Sequence, residues 1–321
     1  MTILIIGLCS ILTTGHSATE NVKKKILYID SYHEGYPWSA GISEGVKNTL
    51  ATNEVKDKVE LKVIRMDTKR NTSEEFKKDA ARKAVAMIDS WQPDVVIASD
   101  DNASKYVILP YFIDKPLPFV FCGVNWDASL YGFPFSNVTG MVEVSLVSQL
   151  IETMQSHASG KRVGLLGADN LSNRKEALNY KKILNIDLKR EVFVNNFAEL
   201  KTAFKEIQKQ VDMLILAPPS FIKTEKEKKE ARAFFERHTT IPTGSVEDWI
   251  TPYSLVGYTK VASEQGEWAT QTALKILGGK SPADIPIVRN KAAQLFLNMR
   301  IAKKMKIKFP MDMITRGNFV E

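Results

Sequence analysis

The sequence predicts an α/β fold of two lobes, each built on a parallel sheet. Short apolar runs alternate with amphipathic helical stretches along the chain, which is the pattern of βαβ units. The same alternation begins again near the middle of the chain. The length of 321 residues also exceeds the size at which one core usually stops growing. Ligands of open α/β sheets bind beyond the carboxyl ends of the strands, so those positions form the candidate site.

The first half of the chain predicts strand and helix in turn. Ile26–Ile29 is a short apolar run, and a helix follows it at about Ser39–Leu50. The next helix, Ser73–Trp91, is long and amphipathic, with Thr72 or Ser73 as its N-cap. Asp100 to Ser104 are expected to form the loop and cap of a third helix. The remaining strands of this half are predicted at Val59–Met66, Val95–Ala98 and Pro118–Cys122.

The second half follows a crossing segment at Asn137–Val144, NVTGMVEV. The stretch KRVGLLGADNLSNRKEA, which starts at Lys161, predicts a strand, a polar loop and the beginning of a helix. The stretch VDMLILAPPS is a continuous apolar run that ends in two prolines, as expected for a buried strand. Two further strands are predicted at Ile186–Val194 and Ile241–Gly244, and two helices at Phe197–Gln210 and Lys223–His238.

The first 18 residues have the character of an export signal. They contain no charged residue, and the apolar run Ile3–Leu12 suits a signal-peptide core but is too short to span a bilayer. Small residues up to Ala18 offer a cleavage site, whereas Cys9 lacks a lipobox because Leu8 precedes it. We expect residues 1–18 to be a signal peptide of a periplasmic or extracytoplasmic protein; a buried first strand is the alternative. Cys122 would then be the single cysteine, so no intramolecular disulfide is expected.

Composition and motifs argue against several classes of function. The chain is 44% hydrophobic and 25% charged, as in ordinary soluble proteins. Its net charge of +7 comes with lysine runs typical of solvated helix faces, without an aromatic-basic motif for nucleic acid. There is no GxGxxG, GxxxxGK[ST] or GxSxG motif, and the histidines show no HExxH spacing. We therefore expect no nucleic-acid partner, metal, cofactor or catalytic residue, although paired carboxylates leave acid–base catalysis open.

Binding explains the polar clusters better. Tyr32, Tyr36 and Trp38 are aromatics in a predicted loop, where they would either contact a ligand or pack onto their own lobe. The stretch SDDNAS at 99–104 lies beside a helix N-terminus that could hold a ligand carboxylate; plain helix capping is the alternative. Glu247 and Asp248 could neutralise a ligand amine, or form a solvated pair. On the amine hypothesis, Asp248→Asn is expected to weaken binding at least tenfold and Glu247→Gln less; Asp100 in the first lobe is the alternative partner of the amine.

Three stretches resemble a known family. They are NVTGMV, the segment GYTKVASEQGEWATQTALKILGGKSPADIPI and the closing segment LFLNMRIAKKMKIKFP. Together they resemble the ABC-transporter substrate-binding family of periplasmic binding proteins with the type I fold, over roughly Lys25 to Pro310. Better-known members bind aromatic or other apolar amino acids. The resemblance implies two Rossmann-like lobes with parallel sheets and a ligand cleft at the hinge.

Residue by residue, the resemblance implies ligand contacts at the strand ends of both lobes. In the first lobe it points to Ser31, Tyr32, Ser99, Asp100, Asn102, Ala103, Gly123, Val124 and Asn125. In the second lobe it points to Asp169, Asn170, Ser172, Pro218, Ser245, Glu247 and Asp248. The first loop, SYHEGYPW, is longer and more aromatic than in typical amino-acid binders, and is similar to the opening of domains fused to sensor kinases. The SVEDW segment also departs from the usual Gly-rich version.

The resemblance also implies the domain organisation and partners. Lobe 1 is expected to comprise residues 24–141 plus about 257–288, and lobe 2 residues 142–256 plus about 289–321. Short crossovers are expected near Thr139–Val142 and Leu255–Tyr258. The protein is expected to be a monomer that delivers a small organic ligand to an ABC permease in the membrane. A sensory protein that signals to a receptor or kinase is the main alternative, and an enzyme is a weaker one.

Overall fold

The structure, a computed structural model, describes residues 23–52 and 55–320 and confirms the predicted two-lobe α/β architecture. The predicted signal peptide, with Cys9, lies outside the described residues. The strands are β1 (Lys24–Asp30), β2 (Val59–Arg65), β3 (Val95–Ser99), β4 (Phe119–Asn125), β5 (Val138–Glu143), β6 (Val163–Ala168), β7 (Leu188–Val194), β8 (Met213–Leu216), β9 (Thr243–Ser245), β10 (Val256–Lys260), β11 (Val288–Arg289), β12 (Ala293–Asn298) and β13 (Gly317–Val320).

The helices cover the faces of the sheets. Ser73 caps the second helix by accepting a hydrogen bond from the Phe76 backbone, with Glu74 and Glu75 favourably placed in its first turn. No described helix is both long and apolar enough to cross a membrane. The helices are α1 (Pro37–Leu50), α2 (Glu74–Trp91), α3 (Asp100–Ala103), α4 (Leu109–Tyr111), α5 (Val147–Gln155), α6 (Leu171–Leu184), α7 (Phe197–Ile207), α8 (Glu225–His238), α9 (Ala262–Leu277), α10 (Met299–Met305) and α11 (Met311–Arg316).

Each lobe has one sheet. The first has six strands in the order β11-β5-β4-β3-β1-β2, and all neighbouring strands are parallel. The second has seven strands in the order β13-β12-β10-β9-β8-β6-β7, in which only the β10–β12 pairing is antiparallel. Strands β3 and β5 are buried along their whole length, and the apolar run Val95–Ala98 of β3 is the pattern expected for such a strand.

The chain passes between the sheets after β5, after β10 and after β11. These crossings differ from the predicted ones. Thr139–Val142 lies inside β5, because the crossing motif pairs with β4, with one shift of register between Phe121 and Val124. Val256–Lys260 pairs with β9 and β12, so it belongs to the second sheet, and the return to lobe 1 begins only with α9. The boundaries expected near 141 and 257 therefore fall a few residues later.

Helix α9 packs closely against α1 on the back of the first sheet. Two glycines permit this approach. A Cβ atom on Gly266 would overlap the carbonyl oxygen of Ile42, and one on Gly45 would overlap that of Ser263. The buried side chains of this layer include Ile42 and Ala269, which pack with the strands beneath. Residues from the C-terminal third of the chain thus complete the core of the N-terminal lobe.

Candidate functional site

A cleft of about 330 Å³ lies between the two lobes, at the carboxyl ends of the strands. Side chains that follow strands of the first sheet form one wall, and side chains from β9, β10 and β12 and their flanking loops form the other. Both lobes therefore contribute to one site. The residues that line the cleft are Tyr32, Tyr36, Trp38, Lys69, Asp100, Asn125, Glu143, Val246, Glu247, Asp248, Thr259, Lys260 and Gln294.

Aromatic rings form the apolar part of the cleft. Tyr32 and Tyr36 meet edge to face, with ring centroids 5.0 Å apart. Trp38 lies in the first turn of α1, not in a loop as the sequence suggested, because Pro37 starts the helix there. The Nζ atom of Lys69 lies 5.0 Å from the Tyr32 centroid, and that of Lys260 lies 5.5 Å from Trp38. Each ring face is therefore already placed to attract a positive charge.

An ion pair between the lobes crosses the floor of the cleft. Glu143 ends β5 of the first sheet and Lys260 ends β10 of the second, and Nζ lies 2.6 Å from Oε1. Their side chains are only 10% and 18% exposed. Burial lowers the pKa of Lys260, but the carboxylates of Glu143 and Glu247 outweigh it and hold the pKa above its usual value. Lys260 is therefore a fixed positive charge at the junction of the lobes.

The lobes also touch beside the first crossing. The indole Nε1 of Trp126, in the loop after β4, donates to Oε1 of Glu176 on α6 at 3.0 Å. Ser145, in the crossing segment itself, donates to the other oxygen of the same carboxylate at 3.1 Å. One carboxylate of lobe 2 thus bridges lobe 1 and the hinge.

Asp100 is the most buried acidic group of the cleft. Its residue is 1% exposed, and Oδ2 finds no hydrogen-bond partner among the described residues. Its backbone has φ of +65°, a left-handed conformation that Asp and Asn tolerate better than most residues. Burial, followed by the nearby charges of Glu143, Asp30 and Asp101, raises the pKa of Asp100 well above its usual value. A positive ligand group at Oδ2 would compensate for the lost hydration of the carboxylate and for the repulsion by its acidic neighbours.

Seven of the candidate residues line the cleft: Tyr32, Tyr36, Trp38, Asp100, Asn125, Glu247 and Asp248. Others of the first lobe hold its backbone together behind the wall. Ser31 donates to the Ser99 carbonyl and accepts from the Ala103 backbone, and Asn102 donates to Thr68. The backbone of Gly123 donates to Gln265, and Val124 is buried in the core. In the second lobe, Ser245 accepts from the backbone of Glu247.

The second-lobe loop after β6 serves its own helix in this structure. Asp169 pairs with Arg174, Nε to Oδ1 at 2.6 Å, and Asn170 caps α6 through the Asn173 backbone. Ser172 is exposed on the first turn of α6. The carbonyl of Pro218 accepts from the Asn173 side chain at 2.9 Å. None of these four candidates lines the cleft described above.

Several residues of the cleft were not predicted from the sequence. Glu143 and Lys260 are each the last residue of a largely buried strand, and a lone charge in that position was the available signal. Lys69 lies just beyond β2 and has the same kind of position. Gln294 carried no such signal, because its strand runs antiparallel and brings its first residues to the cleft. The other missed residues are Val246 and Thr259.

Within residues 23–52 and 55–320, no group of three or more His, Cys, Asp or Glu side chains is placed to hold a metal ion. Cys122 is buried in β4, and burial raises the pKa of its thiol well above the usual value. The polar groups of the cleft are therefore carboxylates, amides, hydroxyls and ammonium groups, which bind a small solute by hydrogen bonds and charge.

The comparisons with known proteins agree with this geometry. The family model for ABC transporter substrate binding protein matches residues 37–319. No curated protein sequence matches the chain closely enough to count as a relative. The ligand-free, open structure of a substrate-binding protein with adhesive properties from Clostridium difficile is similar, with 17% identity, a TM-score of 0.69, and coverage of 93% of this chain and 99% of that one.

Two further solved structures share the fold. One is an ABC domain in complex with L-Trp from Streptococcus pneumonia, with 16% identity, a TM-score of 0.56, and coverage of 93% of this chain and all 100% of that one. The other is a periplasmic ribose ABC transporter protein from Conexibacter woesei, with 15% identity, a TM-score of 0.52, and coverage of 92% and 98%. The family match spans both lobes and every residue of the cleft wall except Tyr32 and Tyr36. The chain therefore belongs to the family of ABC transporter substrate-binding proteins.

Proposed function

We propose that this protein captures a small organic solute between its lobes outside the cytoplasm and delivers it to an ABC permease. The observation that carries the proposal is the cleft itself, which both lobes line at the carboxyl ends of their strands. Its volume of about 330 Å³ suits a small molecule. The family match supports the link to a permease. The protein acts as a monomeric carrier, and the side chains of the cleft hold the solute without transforming it.

A sensory role is the second candidate. The specific observation in its favour is that the aromatic first loop, which is similar to that of sensor-linked domains, supplies Tyr32 and Tyr36 to the cleft. A strain that lacks the protein separates the two roles. Loss of uptake of the bound solute, restored by the wild-type chain, supports transport. Normal uptake with loss of a transcriptional response to the same solute supports sensing.

The identity of the solute is open to direct measurement. The protein should be purified without refolding and mildly denatured, and the released small molecules should be analysed by mass spectrometry. One solute recovered in near-stoichiometric amount supports a binding function. If nothing is released, and an extract of small metabolites does not raise the melting temperature, the proposed function is contradicted.

Binding is expected to draw the lobes together. The lobes are joined only by short crossings, so a ligand that contacts both walls favours the closed arrangement by its differential affinity. Small-angle scattering with the recovered solute should show a smaller radius of gyration. The melting temperature should rise with solute concentration. At a concentration one hundred times Kd, binding adds about 2.7 kcal/mol to the free energy of unfolding. Unchanged scattering at saturation would argue against a closing cleft.

A further inference from the structure

The cleft has more acidic than basic side chains. Its acidic side chains are Asp100, Glu143, Glu247 and Asp248, and its basic ones are Lys69 and Lys260. Lys260 is already paired with Glu143. Lys69 is an exposed residue near the tyrosines at the rim. The buried part of the cleft therefore has carboxyl groups to offer and no uncommitted ammonium group among the described residues.

Three first-lobe donors that could hold a ligand carboxylate are already used, whereas the indole Nε1 of Trp38 has no partner among the described residues. The Ala103 N–H, in the short helix after β3, donates to Ser31 at 2.8 Å. The Gly123 N–H donates to the buried side chain of Gln265 at 2.8 Å. The Asn125 amide donates to Asp101 at 2.6 Å. A negatively charged ligand group would meet these occupied donors and the carboxylates beside them.

For a positively charged ligand, the cleft offers a carboxylate oxygen without a partner and aromatic ring faces. Oδ2 of Asp100 is buried, has no partner among the described residues, and belongs to a side chain that lines the cleft. The rings of Tyr32, Tyr36 and Trp38 stand at the same cavity, and ammonium groups of the protein already lie 5.0 to 5.5 Å from their centroids. Aromatic faces and a buried carboxylate are the usual partners of an organic cation.

We propose that the solute is an organic cation without a carboxylate, an amine or quaternary ammonium on an apolar body, and that Asp100 is its principal partner. This proposal rests on the proposed function and names its ligand class. Glu247 supplies the matching charge from the second lobe. It is half-buried, whereas Asp248 is exposed and its Oδ1 accepts from the Trp249 backbone at 2.6 Å. This geometry reverses the order expected from the sequence, and Glu247 should matter more than Asp248.

The test uses probes that share a scaffold and differ in the charged groups they carry. Calorimetry should compare tryptamine, L-tryptophan and indole-3-acetate, which share one ring system, and choline with glycine betaine. At least one cation should bind ten times more tightly than its matched carboxylate-bearing partner. Tighter binding of L-tryptophan, indole-3-acetate or betaine overturns the cation proposal and leaves solute binding intact. Failure of all five to bind, together with release of no solute from the purified protein, contradicts the proposed function as well.

Substitutions then show which carboxylate binds the cation. Asp100→Asn keeps size and suits the left-handed backbone, so the fold should be preserved. It should weaken binding of the best cation at least tenfold, Glu247→Gln about tenfold, and Asp248→Asn less than threefold. The surface variant Glu230→Gln removes a distant negative charge and should leave the affinity unchanged. If a folded Asp100→Asn protein, checked by its melting temperature, binds the cation like wild type, the assignment to Asp100 is wrong.

Discussion

Lys260→Met is expected to lower the free energy of unfolding by about 3 kcal/mol, at the lower end of the range for breaking a buried ion pair. The substitution keeps much of the side-chain volume but leaves Glu143 buried, near Asp101 and Glu176, without its positive partner. Urea unfolding measures the loss of stability.

Two controls make the Lys260 experiment specific. Lys201→Met breaks an exposed pair with Glu230 and should cost about 1 kcal/mol or less. The double variant Glu143→Gln/Lys260→Met should recover part of the lost stability, because no uncompensated charge remains. If the double variant loses as much free energy of unfolding as the two single variants together, the two side chains contribute independently and the ion pair itself does not stabilise the fold.

The single variant Lys260→Met should differ from wild type in how its stability depends on pH. Burial already raises the pKa of Glu143, with Lys260 opposing that rise, so removal of Lys260 raises the pKa further. The folded variant then binds a proton more tightly than the unfolded chain does. Its stability should therefore increase as the pH falls through the folded pKa and decrease as the pH rises. A Lys260→Met protein whose deficit against wild type is the same at pH 5 and pH 8 would contradict this account.

Gly266→Ala is expected to lower the free energy of unfolding by about 1–3 kcal/mol through overpacking. Alanine gains up to about 1 kcal/mol in helix propensity, but its Cβ would overlap the Ile42 carbonyl. A backbone atom cannot rotate away, so α1 and α9 must separate and loosen the layer behind the first sheet. Gly278→Ala at the end of α9 is the control, because its Cβ would lie 3.3 Å from the nearest atom and should cost little. Equal stabilities of both variants would show that the helices separate freely.

Much of the fold could be predicted because it depends on local patterns. Continuous apolar runs predicted β3 and β8. Ser73 is the N-cap of α2, as predicted. The short strands β11 and β13 could not be predicted. Two to four residues carry no periodicity, and those residues become strands only because β5 and β12 offer them a paired edge.

The candidate site divides in the same way. Asp100 directly follows β3 and Tyr32 lies two residues beyond β1, so their positions at the cleft could be predicted from the sequence. Glu143 and Lys260 are 117 residues apart, and nothing local indicates that they meet. Asp169 also directly follows a strand, but its carboxylate forms an ion pair with Arg174, five residues later. Position after a strand therefore predicts which edge a residue occupies, but not which partner it finds.

The late return of the chain to the first lobe also affects the order of folding. Thr139 bonds to the carbonyl of Ile285, and the Val144 backbone bonds to Asn290, each across 146 residues. Every doubling of such a loop adds about 0.6 kcal/mol of closure entropy before the contact forms. During synthesis, the N-terminal lobe must wait for α9 and β11 before its back and edge are covered. Contacts of such long range slow folding, so the emerging chain stays incompletely packed until nearly all of it is available.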